Sequence, residues 1–292
     1  NSRVMILGPS GSGKELVARM IHKKSSRASG PFVALNAAAI TPDRMEIALF
    51  GTEGGPGQAR KIGALEEAHR GILYLDEVGE MPRETQNKIL RVLVDQQFER
   101  VGGTKRVKVD VRIISSTAYN LESHIAEGAF REDLYHRLAV VPVRVPALAE
   151  RREDIPFLVD MFMRQISEQA GIRQRRIGDD AMAVLQAHDW PGNIRQLRNN
   201  TERLMILARS DGPDSPITAD MLPTDLGDML PKTTSGGDYH IMTLPLREAR
   251  EMFERDYLIA QINRFGGNIS RTAEFVGMER SALHRKLKSL GV

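Results

Sequence analysis

Five short apolar runs punctuate the first half of the chain, near Arg3–Leu7, Phe32–Asn36, Ile72–Leu75, Val111–Ser116 and Val140–Val145. At four to six residues each, they have the length of buried strands rather than helices. Between them apolar residues recur every third or fourth position, at Lys14–Ser25, Pro42–Phe50, Pro82–Val94 and Arg131–Leu138, which is the spacing of amphipathic helices. This alternation predicts an α/β fold, a doubly wound parallel sheet that binds its ligand at the carboxyl ends of the strands. Around Pro146 the alternation stops. Asp154–Ala170, Asp179–His188 and Ile194–Ala208 carry only the helical period, so a helical subdomain follows the sheet. Ser210 to Asp238 is rich in Pro, Gly, Asp and Thr and reads as a linker. A last helical unit runs from Leu244 to Val292. The expected division is therefore 1–147, 148–209, a linker 210–243, and 244–292, with no internal repeat.

Composition narrows the setting. The 292 residues suffice for two or three domains with their own cores. The chain has no cysteine, so a disulfide framework and a thiolate metal site are both excluded. No apolar run approaches membrane-spanning length and no secretory signal is visible, which points to a cytoplasmic protein without a membrane partner. The chain opens directly on its first strand, the expected look of a piece of a longer protein.

The chemistry begins after the first run. Gly8-Pro9-Ser10-Gly11-Ser12-Gly13-Lys14 joins a predicted strand to a predicted helix. Such a turn aims backbone N–H groups and the positive end of the helix dipole at one point, which suits phosphate. Lys14 is placed to reach the β- and γ-phosphates of ATP or ADP. The next position usually supplies a hydroxyl to Mg²⁺. Here it is Glu15, so the metal must be held elsewhere, and Asp76 is the candidate. Gly71-Ile72-Leu73-Tyr74-Leu75-Asp76-Glu77 is a buried strand ending in two carboxylates, expected beside the phosphate-binding strand. Asp76 would face the metal and Glu77 would polarise an attacking water. Alone, two acids at a strand end are an ordinary solvated terminus. The glycine loop changes that reading.

Charge adds one more feature. The net charge is +3, yet Arg264 to Val292 alone carries six Lys or Arg against two Glu. A long helix, Leu246–Phe265, ends at Gly266-Gly267. A short helix with Ser270 as its expected cap follows, then a turn at Gly277, then Glu279–Leu290. This is helix-turn-helix spacing, and the second helix would present Arg280, Ser281, His284, Arg285 and Lys288 to a DNA major groove. The competing reading is a small helical interaction module. The apolar positions Leu246, Ala249, Phe253, Tyr257, Leu258 and Ile262 of the long helix form a stripe that predicts a homodimer on an inverted repeat of double-stranded promoter DNA.

With these motifs the chain resembles the bacterial enhancer-binding proteins, AAA+ sigma-54-type transcriptional regulators that end in a Fis-type helix-turn-helix domain. The resemblance implies a P-loop AAA+ sheet with a helical lid. It accepts Glu15 as usual at its position among the nucleotide-binding residues. It implies that Asn36, in Phe32–Ala39, couples nucleotide state to the acidic pair. In Phe130–Leu138 it implies that Arg131 and Arg137 are arginine fingers acting on a neighbouring subunit of a higher oligomer. In Trp190–Asn199 it places Arg195 on the nucleotide. It places Thr117 in the first sensor.

Two departures qualify the resemblance. The family's sigma-gripping loop has the motif Gly-Ala-Phe-Thr-Gly-Ala. Here Thr52–Gly63 is about three residues shorter and has no Phe-Thr pair, a loose turn expected to be flexible. Ala118 stands where the family's first sensor usually has Asn, which implies slow hydrolysis. Nitrogen-regulation response regulators of the NtrX-like subgroup share the missing loop motif. That subgroup implies a two-component regulator without its receiver domain, addressed by a sensor histidine kinase, with RNA polymerase as a candidate partner and the loop arguing against sigma-54. The expected function is thus a DNA-binding transcription regulator with a weak ATPase domain. The alternatives are a full sigma-54-dependent activator ATPase, or another AAA+ class such as a replication initiator or helicase loader.

Overall fold

The computed structural model describes residues 2–55, 59–171, 175–207, 216–222 and 246–290. The chain divides into two compact units, one of residues 1–151 with 190–197, the other of 152–189 with 198–292.

The first unit opens with β1 (Val4–Leu7), α1 (Lys14–Lys23), β2 (Phe32–Asn36), α2 (Pro42–Phe50), α3 (Ala64–Glu67) and β3 (Ile72–Asp76). It continues with α4 (Arg83–Asp95), β4 (Gln97–Glu99), β5 (Arg106–Lys108), β6 (Arg112–Thr117), α5 (Leu121–Ala126), α6 (Glu132–Leu138) and β7 (Val141–Arg144). Five strands form a parallel sheet in the order β2-β3-β6-β1-β7, and β4 with β5 forms a separate antiparallel hairpin. Side chains alternate across the sheet as strand geometry requires. Met5, Leu73, Leu75 and Ile113 face a large core under α2, α3, α4 and α6. Val4, Ile6, Ile72, Tyr74 and Ile114 face a smaller one around Ala18 of α1. The doubly wound α/β sheet is therefore present, with one correction. The acidic strand β3 is not next to β1; β6 lies between them. The acids thus stand two strand spacings, about 9–10 Å, from the phosphate-binding strand.

In the second unit α7 (Ile155–Ala170) buries Ile155, Val159, Phe162, Met163 and Ile166 at helical spacing, and packs on α8 (Asp179–Ala187). Most of α9 (Asn193–Leu207) follows. The supposed linker is not all linker. Ile217 is fully buried and pairs with Ile177, and Ala219 N–H donates to Asp180 Oδ2 at 2.8 Å. A lone buried Ile among Pro, Asp and Thr leaves no periodic signal in the sequence. The rest of that stretch, including Ser235-Gly236-Gly237, lies outside the described residues.

The C-terminal helices are α10 (Leu246–Arg264), α11 (Ile269–Phe275) and α12 (Arg280–Ser289). Leu258, Ala273, Leu283 and Leu287 form their core. Asn268, not Ser270, caps α11, accepting from Arg271 N–H at 3.2 Å. Both residue types cap well, and the helix simply starts earlier than Ser270. Gly277 takes the left-handed turn at φ 68° that the sequence assigned to it. No helix among the described residues is long and apolar enough to cross a membrane.

Candidate functional site

The loop Gly8–Gly13 closes on itself and on the return of the chain near residue 190. A Cβ at Gly8 would stand 2.4 Å from the Val145 carbonyl oxygen, and one at Gly11 would stand 2.3 Å from that of Gly192. Glycine is required at both positions, and at Gly11 the backbone is also left-handed, φ 75°. Pro9 C=O accepts from Ser12 N–H. Gly13 begins α1 with φ 99° and offers no side-chain cap, so the first N–H groups of the helix stay available. Ser12 Oγ is buried without a hydrogen-bond partner among the described residues. Uncapped amides and an orphaned buried hydroxyl in one glycine cradle fit a phosphate group.

Lys14 and Glu77 meet across β6. Lys14 Nζ donates to Glu77 Oε1 at 2.9 Å and to the Gly8 carbonyl at 3.0 Å, with 5% and 15% of the two side chains exposed. Glu77 reaches back because its backbone is left-handed, φ 54°, a conformation costly for a non-glycine residue and concentrated at functional sites. Its other oxygen accepts from the Ala118 backbone N–H at 2.8 Å. The Thr117 carbonyl, in the same peptide unit, accepts from Gly8 N–H at 3.3 Å. One amide therefore links the phosphate loop to the acid.

Asp76 ends β3 with Oδ1 taken by the hydroxyls of Tyr74 and Ser116, which also bond each other at 2.8 Å. Burial, helped by the Asp76 charge, pushes the Tyr74 phenol above its ordinary value, so it stays a donor. Asp76, the sequence's candidate for Mg²⁺, has Oδ1 engaged by these hydroxyls. Among the described residues no three His, Asp or Glu side chains are grouped to hold a metal.

Other expected residues are turned elsewhere. Asn36 lies beside Asp76 in register, but its Oδ1 accepts from Ala38 N–H and no bond joins it to Glu77. Thr117 Oγ1 is spent on Tyr119 N–H. The Glu15 side chain pairs with Arg19 one turn on, away from the loop. Arg195 does return, with Nη1 3.4 Å from Ser10 Oγ and its N–H on the Gly11 carbonyl.

The sequence reading missed Asn193. It is buried at φ 51°, accepts from Leu148 N–H at 2.8 Å and donates to the Ser10 carbonyl at 3.0 Å. It thus ties the phosphate loop to two later segments. Arg151 also donates to the Ser12 carbonyl. The adjacent Trp190-Pro191-Gly192 turn was the available signal. Trp190 itself is fully buried.

The candidate trans arginines stand on α6. Arg131 precedes its first turn and pairs with Asp133 and Asn87. Arg137, in its last turn, is exposed, with no carboxylate paired to it among the described residues. The chain enters β7 immediately afterwards, so Arg137 lies at the amino ends of the parallel strands, opposite the phosphate loop of its own chain.

The segment Gly51–Gly63 is firmer at its base than its composition suggested. Thr52 exchanges hydrogen bonds with Lys61, and Glu53 N–H donates to Val101. Arg100, 5% exposed, grips Glu66 with two donors at 2.8 Å and Glu53 at 2.6 Å. Residues 56–58, at the tip, lie outside the described residues.

On α12 the predicted DNA-facing residues Arg280, Ser281, His284, Arg285 and Lys288 are all exposed, while Leu283 and Leu287 face the core. The stripe on α10 splits. Leu258 and Ile262 are used within their own three-helix core, whereas Phe253 and Tyr257 are exposed and stacked at 6.1 Å. The side chains of Leu246 and Ala249 lie outside the described residues.

A strand inserted between phosphate loop and acids, with a later helix start folded back on the loop, defines an AAA+ type of P-loop domain, here in one chain with a helix-turn-helix. Sequence profiles agree: the Sigma-54 interaction domain matches residues 1–144, an AAA+ ATPase lid domain 149–237, and the Fis family of bacterial regulatory proteins 249–290. The chain thus carries a Sigma-54 interaction domain, an AAA+ ATPase lid domain and a Fis-type domain, in that order. The nitrogen assimilation regulatory protein NtrX of Azorhizobium caulinodans is 69% identical over 293 residues, covering 100% of this chain and 64% of that protein. The DNA-binding transcriptional regulator NtrC of Klebsiella pneumoniae is 40% identical, covering 99% of this chain and 65% of that protein. Crystal structures of NtrX from Brucella abortus, one in complex with ADP and one with ATP, are 78% and 77% identical with TM-scores of 0.85 and 0.84. Each covers 100% of this chain, which spans 65% and 64% of those chains. The chain thus spans just under two thirds of the relatives it matches.

Proposed function

We propose that this chain binds ATP or ADP in its first unit, binds promoter DNA through α12, and regulates transcription as an NtrX-type response regulator. The buried Lys14–Glu77 pair beside an uncapped glycine cradle is the observation that carries the nucleotide assignment. The ADP and ATP complexes of the Brucella abortus relative support it. Lys14 and the loop amides hold the phosphates, and Arg195 stands beside them. Asp76 would hold Mg²⁺, which would neutralise phosphate charge. Glu77 accepts a hydrogen bond from the attacking water once Lys14 turns to phosphate, with Ala118 N–H keeping its carboxylate in place. Arg131 and Arg137 act from a neighbouring copy, since phosphoryl transfer needs cations on the developing charge. Asn36 and Thr117 would have to leave their present bonds to take part, which fits slow turnover.

The test is specific ATPase activity against protein concentration. A trans site predicts activity that rises with assembly, and flat activity down to dilute monomer removes the trans arginines. Promoter-DNA affinity of the intact chain against a chain ending before Leu244 tests the α12 assignment; equal affinity places DNA binding elsewhere. The second reading, a full sigma-54 activator, rests on the match to the Sigma-54 interaction domain. The loop without a Phe-Thr pair argues against it. Open-complex formation with sigma-54 polymerase decides between them.

A further inference from the structure

Arg3 precedes β1 at the end of the sheet opposite the phosphate loop. Its Nη1 donates to the Arg137 carbonyl at 2.9 Å, and its Nη2 to the Leu93 carbonyl at 3.4 Å. Both acceptors belong to last helical turns, Arg137 in α6 and Leu93 in α4. Such carbonyls lack intrahelical partners and mark the negative ends of their helices, so one planar guanidinium fastens two helix ends. The charges of Arg3 and Arg137 are close enough that the second, after burial, lowers the proton affinity of the first. Arg3 spends donors on carbonyls and repels the neighbouring guanidinium. Arg137 is left exposed, with its backbone fixed.

We propose that Arg3 is a positioning residue for Arg137: it clamps the end of α6 to α4 and directs the Arg137 side chain outward, toward the nucleotide of a neighbouring copy. The inference rests on the trans-arginine reading above. Lysine cannot replace Arg3, because one ammonium on a flexible stem does not span two carbonyls in a fixed plane. Misplacing a group that acts in the transition state lowers kcat while leaving ground-state binding alone.

The test is a double-mutant cycle on the full chain with wild type, Arg3→Lys, Arg137→Ala and the pair. Arg3→Lys keeps the charge and the stem, so the chain should still fold, with a circular-dichroism spectrum matching wild type at the assay temperature and at most a modest fall in melting temperature. Expected is a fall in kcat of about 10- to 100-fold for Arg3→Lys at unchanged ATP affinity, with the double variant no worse than Arg137→Ala alone. Sedimentation with a non-hydrolysable ATP analogue supplies a readout free of turnover. Both single variants should weaken nucleotide-dependent association, and the double no further. If Arg137→Ala loses activity or association while Arg3→Lys keeps both, the positioning role is overturned and the trans arginine stands. If the double variant is worse than Arg137→Ala by the Arg3→Lys factor, Arg3 acts elsewhere and the proposal fails. If Arg137→Ala itself changes neither readout, the trans-arginine reading falls and this inference with it.

Discussion

At the scale of single residues, the Lys14–Glu77 pair gives the sharpest expectations. Lys14→Ala removes a charge-assisted contact to phosphate and should weaken ATP binding by about 1.5–3 kcal/mol, read by calorimetry. Glu77→Gln acts in the opposite sense on affinity. It frees Lys14 from a competing carboxylate, so ATP should bind at least as tightly while turnover is lost. Weaker binding in Glu77→Gln would contradict the competition. Asn193 separates backbone from side chain. Asn193→Gly keeps the left-handed φ but loses the bonds to Leu148 and Ser10, at a cost of about 1–3 kcal/mol. Asn193→Ala adds backbone strain and should melt lower still. The glycine loop with Lys14 could be marked as a candidate from sequence because a glycine-rich strand-to-helix turn followed by Lys is a specific pattern, and Asp76 and Glu77 became candidates only beside it. Asn193 was not legible, because its role depends on φ and on partners 45 and 183 positions away.

At the scale of elements, the pattern of apolar runs located every strand of the main sheet and its larger helices to within a residue or two. It missed β4 and β5, which have three residues and one apolar side chain each, α3, which has four residues, and α5, which has six. No period can be read from segments so short. It also could not order the strands, because a parallel pairing leaves no local mark. Neither did it foresee that Arg100 in the β4–β5 region holds the base of the Gly51–Gly63 segment. Removing one side of a buried ion cluster strands the other charges, so Arg100→Met should cost about 3 kcal/mol in a denaturant melt. The cluster also predicts a pH response. The Arg100 hydrogen bond and charge hold the Glu66 carboxyl below its ordinary value. A depressed folded pKa contributes stability above about pH 4, and that contribution disappears as pH falls through the lower folded value. Acid melts of wild type should therefore lose stability steeply below about pH 4, and Arg100→Met should flatten that slope.

At the scale of the whole molecule, the proposed binding to an inverted repeat requires two copies of α12. Among the described side chains of α10, Phe253, 62% exposed, and Tyr257 beside it are large apolar groups outside its own core. Phe253→Glu with Tyr257→Glu should abolish dimerisation by sedimentation. It should also abolish preference for half-sites spaced about 34–36 Å, one DNA turn. Lys288→Ala should weaken all sequences alike and reduce the salt slope by about one. Retained cooperativity in the Phe253/Tyr257 variant would move the dimer interface elsewhere.

The peptide between Thr117 and Ala118 carries information of another kind. Its carbonyl holds Gly8 and its N–H holds Glu77, so the two halves of the nucleotide site turn on a single rigid plane. Nothing in that linkage depends on which side chain position 118 bears. Sequence drift there, including the loss of an amide, leaves the mechanical connection whole, and a survey of side chains would not detect it. Only proline, which has no N–H, severs it. Ala118→Pro should uncouple nucleotide binding from turnover where Ala118→Ser, Ala118→Val or Ala118→Asn would not.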